Sequence, residues 1–135
     1  MKWLSTWLLI AFSIWGSSLG FAQPISIAWQ KTMGGNGNDI MQDIYPTADG
    51  NYIRLGITDQ NGIDVNCNVK GWHDTWVVKM DTLGNIIWQQ CFGGTLEEGN
   101  PFSKIIQTSD GGYLLVTETW SVDGDVTDHH TDLSD

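Results

Sequence analysis

Asp64, Asn66 and Asn68 place three oxygen-bearing side chains at alternate positions of one loop, the spacing at which a calcium loop offers its first ligands. The pattern then breaks. Its sixth position is Val69, where a calcium loop turns on Gly, and its twelfth is Thr75, where the loop closes on a bidentate Glu. A second run, Asp123-Gly124-Asp125-Val126-Thr127-Asp128, opens with the same alternation and reaches Ser134 at its twelfth position. Asp and Asn in such loops also bond their own backbone, which competes with calcium as the reading of both runs. His129 and His130, with Asp128 and Asp132, carry donors for a transition metal. Zinc, however, wants three or four ligands converging from a rigid frame, and residues 127–135 read as a disordered tail.

Catalytic groups are harder to find. Glu97, Glu98 and Asp43 are carboxylates of the kind that cleave glycosides in pairs, yet nothing in their spacing sets them apart from solvated loop acids. His73-Asp74 has no Ser or Cys in a nucleophile setting. No catalytic residue is assigned, and the chain is not expected to be an enzyme. Trp72 and Trp120 fall in or beside loops and are the aromatics best placed to face a ligand, with the loops at 59–74 and 120–128 as the candidate binding region. Cys67 and Cys91 are the only cysteines. In an oxidising compartment they can pair; otherwise they are two separate buried small residues.

The elements that position these residues are all β. The run from 75 to 94 has two apolar, β-rich stretches around Thr82-Leu83-Gly84-Asn85, and Gly84-Asn85 can take positive φ at the bend, so it reads as a hairpin. Strands are expected at 29–33, 43–47, 52–58 and 76–80, with loops at 34–39 and 59–74 and a turn at 48–51. The pattern then restarts. Trp88-Gln89-Gln90 follows Trp29-Gln30-Lys31, Gly93-Gly94 follows Gly34-Gly35, and Asp110-Gly111-Gly112-Tyr113 follows Asp49-Gly50-Asn51-Tyr52. The spacing begins at 59 (93 less 34) and settles at 61 (110 less 49). Four short strands per period make a propeller-blade pattern. Copy one covers 29–87 and copy two 88–126. Copy two has no counterpart of 74–80 and so lacks its fourth strand. Trp29 and Trp88 share one repeat position, which suits a blade core. Fewer than two copies leave open strand edges, and the expected ways to cover them are a partner chain, self-association or a gene cut short.

Residues 1–22 read as a secretory signal: Lys2, a mostly apolar run from Trp3 to Trp15, then small residues with Gly20 and Ala22 ahead of the cut. The apolar run is short for a membrane span, so no membrane contact is expected after cleavage, and the destination is the periplasm or the outside of the cell. The formal charge of the chain is −10, with 6 basic and 16 acidic residues. That balance, spread along the chain, excludes a phosphate-neutralising nucleic-acid binder.

The Trp-Gln-Lys, Gly-Gly, Asp-Gly-Gly-Tyr and Asp-x-Trp-Val-Val-Lys elements together resemble a repeat of secreted and surface proteins of Bacteroidota. The resemblance covers nearly all of the chain after residue 22. It implies a β-propeller-like fold, several copies per protein, often with a C-terminal sorting domain for type IX secretion, and no catalytic residues to carry over. The resulting expectation is an exported, non-enzymatic repeat module for binding or assembly, or a fragment of a larger surface protein. The alternative is a secreted carbohydrate-active or other hydrolase component.

Overall fold

The computed structural model describes residues 25–128, so the expected signal segment, His129 and His130, and all of the tail but 127 and 128 lie outside the described residues. Six strands follow in order: β1 Asp39–Pro46, β2 Tyr52–Thr58, β3 Asp74–Met80, β4 Ile86–Phe92, β5 Lys104–Gln107 and β6 Tyr113–Val116. No helix occurs among the described residues. The first four strands make one antiparallel sheet in the order β1-β2-β3-β4; β5 and β6 make a second, two-stranded sheet. The all-β class follows from short runs of Val, Ile, Trp and Thr broken by Gly, Asp and Asn.

The turns show how side chains specify the hairpins. Between β3 and β4, Asp81 accepts the Leu83 and Asn85 amides, 2.8 Å each, and Gly84 takes φ +77°. Between β1 and β2, Asp49 accepts the Thr47 hydroxyl at 2.5 Å and the Asn51 amide at 3.2 Å. Between β5 and β6, Asp110 does the same for the Thr108 hydroxyl and the Gly112 amide.

The core lies on both faces of β2 and β3. Strand alternation sends Ile53, Leu55 and Val77 to one side, where they pack on Ile105, with Tyr113 and Leu115 beside it. The other side carries Trp76 and Val78, covered by Val65, Cys91 and Met33. The 59–73 loop therefore lids one face and β5–β6 lids the other. Each fully buried aliphatic side chain contributes about 1.5–3 kcal/mol. Lys79 ties the two sheets: its ammonium donates to Thr47 Oγ1 at 3.0 Å and to the Tyr113 hydroxyl at 2.9 Å.

Several sequence expectations change. Residues 29–33 are not a strand. Trp88-Gln89-Gln90 becomes β4 because β3 lies beside it, but among the described residues no strand pairs with 29–33, which is held by side chains. Lys31 Nζ, for example, donates to the Gly84 carbonyl at 2.9 Å. The 76–80 run is the third strand of its sheet and β4 is the fourth, so the sheet spans both expected copies. Among the described residues, β5–β6 accordingly lacks neighbours equivalent to β3 and to β4, two strands where one was expected to be missing. Asp39 opens β1 opposite Thr58 instead of sitting in the loop. Among the described residues the fully buried tryptophan is Trp76; Trp29 and Trp88, expected in the core, are each over a third exposed.

Candidate functional site

Two Gly-Gly corners organise the loops. Gly34 N donates to Asp64 Oδ2 at 3.3 Å, Asp64 N returns to the Gly34 carbonyl at 3.0 Å, and Gly35 N donates to Asp39 at 2.7 Å. At the other corner Gly93 N donates to Asp125 Oδ2 at 3.1 Å, Asp125 N returns to the Gly93 carbonyl at 3.0 Å, and Gly94 N donates to Glu98 at 3.1 Å. The close approach leaves no room for a side chain: a Cβ on Gly35 would lie 2.0 Å from the Gln60 carbonyl.

These corners redefine the calcium candidates. The Asp64 carboxylate is engaged on a backbone amide. Asn66 and Asn68 line a different cleft, beside the Lys70 ammonium and the disulfide, so the three side chains do not converge. No group of three or more His, Cys, Asp and Glu stands ready for a metal among the described residues. Lys70 pairs with Asp125, and this ammonium is the main reason that the Asp125 carboxyl sits below the usual carboxylate range. Cys67 and Cys91 are disulfide-bonded with Cα atoms 5.5 Å apart, which anchors the 59–73 loop on β4.

The carboxylates considered for catalysis are occupied as well. Asp74, fully buried, accepts the Lys70 and Gly71 amides at 3.1 Å, and burial pushes its carboxyl up. Glu98 accepts the Gly94 amide and the Thr119 hydroxyl. Asp43 stands 3.5 Å from Lys104, and Glu97 stands 3.7 Å from His73. The segment 96–98 laces the two candidate binding loops together: the Trp72 amide donates to the Leu96 carbonyl and the Trp120 amide to the Glu97 carbonyl, 3.0 Å each. Both indoles are well exposed.

Two places remain open. Among the described residues strand β6 pairs only with β5, and beside it a cleft of about 410 Å³ is walled by Val77, Trp88, Gln90 and Phe92 of the larger sheet and by Ile105, Tyr113 and Leu115. The outer side of the small sheet shows Ile106, Leu114 and Val116 to solvent.

The second place is Arg54, which sequence reading passed over. It interrupts an apolar strand, it is the one arginine of the chain, and position 115, 61 residues on, holds Leu. Those facts were the available signal. Arg54 is buried, with its guanidinium 4.7 Å from the centre of the Trp76 ring. Trp76 is itself fixed by donating to Gln89 Oε1 at 3.0 Å. Arg54 Nε and Nη1 have no hydrogen-bond partner, and neither does Asp39 Oδ1. Such orphans cost about 1–3 kcal/mol each. Burial lowers the Arg54 pKa, with the Asp39 and Asp64 charges opposing; a guanidinium nevertheless stays protonated. Arg54 and Asp39 share a cavity of about 330 Å³ with Lys31, Trp29, Met33 and Met80.

No family model, curated protein or solved structure matches this chain.

Proposed function

We propose that the chain is an exported, non-enzymatic assembly module of the propeller-like repeat type, and that β6 accepts a strand from a partner polypeptide. The observation that carries this reading is the open side of β6. The β5–β6 pairs Lys104 with Val116, Ile105 with Leu115 and Ile106 with Leu114 repeat the β1–β2 pairs of Asp43 with Leu55, Ile44 with Arg54 and Tyr45 with Ile53, each shifted by 61 residues. In the larger sheet β2 has β3 on its far side; β6 has a cleft there. An incoming strand would satisfy the unpaired backbone of β6, and alternate apolar side chains would fill the cleft, as in other β-augmentation complexes. The partner is therefore a protein segment resembling β3: extended, with bulky apolar residues at every second position. Export is supported by the sequence of residues 1–22, and a periplasmic or extracellular location suits a chain with one disulfide.

The test is a synthetic hairpin covering 74–92, with Cys91 replaced by Ser, added to the chain lacking residues 1–22. Saturable binding is expected. At a hundredfold excess over Kd it stabilises the protein by about 2.7 kcal/mol, read as a rise in Tm. Leu114→Lys, an exposed change that puts a charge on the open strand, abolishes the rise without unfolding the protein. Wild-type Tm unmoved by the hairpin removes the reading.

A further inference from the structure

The cavity beside Arg54 carries an inference independent of the assembly reading. Two of its lining residues carry unpartnered buried atoms. Arg54, 5% exposed, offers Nε and Nη1 as donors; Asp39 offers Oδ1 as an acceptor, its other oxygen being taken by the Gly35 amide. Both residues line the same space.

Charge decides what the occupant is. A simple anion would meet Arg54 and Lys31 but also the carboxylate of Asp39, with Asp64 acting on the same guanidinium. A simple cation would meet Asp39 but also Arg54 and Lys31. A small molecule with both charges pairs with each wall and leaves the local balance unchanged. The rest of the lining is apolar: Trp29, Met33, Met41, Ile44 and Met80. The volume, about 330 Å³, lies at the small end of ligand cavities. A sugar would use the donors and acceptors but would bring no charge to either wall.

We propose that this cavity binds a free α-amino acid with an apolar side chain, its carboxylate on Arg54, its ammonium on the Asp39 carboxylate, and its side chain against Met33 and Met80. Trp76 holds the guanidinium from behind, so the donors are in place before the ligand arrives.

The experiment is calorimetric titration of the chain lacking residues 1–22 with L-leucine and with L-phenylalanine, alongside N-acetyl-L-leucine and L-leucinamide, which each lack one charge. Saturable binding of the two amino acids is expected, with each analogue weaker by about tenfold or more, as one lost charged hydrogen bond requires. Arg54→Met, which keeps the stem and removes the cation, abolishes binding. Asp39→Asn weakens it while keeping an oxygen for the Gly35 amide. Leu114→Lys leaves it unchanged. Absence of heat at millimolar amino acid means that water alone bridges the two groups, and the proposal fails. It fails equally if the analogues bind as well as the amino acids, or if Arg54→Met binds normally. Should Arg54→Met not fold, the analogue series on the wild-type protein decides.

Discussion

β2 and β6 use one register and meet different fates. Ile53 and Leu55 are fully buried, while Leu114 and Val116, 61 residues later, are 51% and 59% exposed. The residue types are alike, and so is the antiparallel partner on one side. What differs is the neighbourhood. β2 has β3 beside it, the 59–73 loop over one face and β5–β6 over the other; β6 has β5 and one covered face. Local sequence makes the strand, and tertiary neighbours make it core.

The comparison can be broken in measurable ways. Leu55→Ala should cost about 2–5 kcal/mol in denaturant unfolding, and Val116→Ala less than about 0.5 kcal/mol. Equal costs would mean that the outer face of β6 is covered in solution. Next in size is the disulfide, which belongs wholly to the larger sheet and its loop. With the cysteines 24 positions apart, replacing both by Ser should lower stability by roughly 3 kcal/mol on the chain-entropy model; an unchanged midpoint would show that the loop is held without it. The corners come third. A Cβ on Gly35 would meet the backbone oxygen of Gln60, whereas one on Gly93 would meet side chains, the carboxylates of Glu98 and Asp74. Ala at either should cost about 1–3 kcal/mol, with Gly35 the worse, and the reverse order would contradict the geometry.

The smallest effect separates the corners by charge. Asp125 faces Lys70, which holds its folded pKa below the unfolded value. Its contribution is present above pH of about 4 and is lost as pH falls through the lower folded value. The pair is 25% and 40% exposed, so the gain stays under about 1 kcal/mol. Lys70→Gln should flatten the acid limb of the stability curve slightly; an identical limb would assign the pair no role.

Much of this was legible in the sequence. The 52–58 strand, the hairpin around Gly84 and the shared spacing of the Asp-Gly turns are written in local residue types. The misreadings came from chemistry that spans the chain. Asp64 looked like a ligand because its alternation with Asn66 and Asn68 is local, but its bond is to Gly34, 30 residues away. The clue was the second corner, where Gly93 meets Asp125 across 32 residues. Residues 29–33 carry strand residue types yet pair with no strand among the described residues, because pairing needs a neighbour that residue types cannot supply. Arg54 was invisible for a related reason. One arginine in an apolar strand acquires meaning only when Trp76 and Asp39 are seen around it.

Lys79 has one more consequence, for labelling chemistry. Burial works against its charge, but hydrogen bonds to Tyr113 and Asp49 outweigh that and raise its pKa. Acylating reagents attack the neutral, accessible amine, and Lys79 is neither while β5–β6 stays docked. Lys104, whose side chain is 63% exposed, reacts freely. The rate at which Lys79 is acylated relative to Lys104 is thus a clock for how often the small sheet lifts away, built from the protein's own side chains and readable by mass spectrometry.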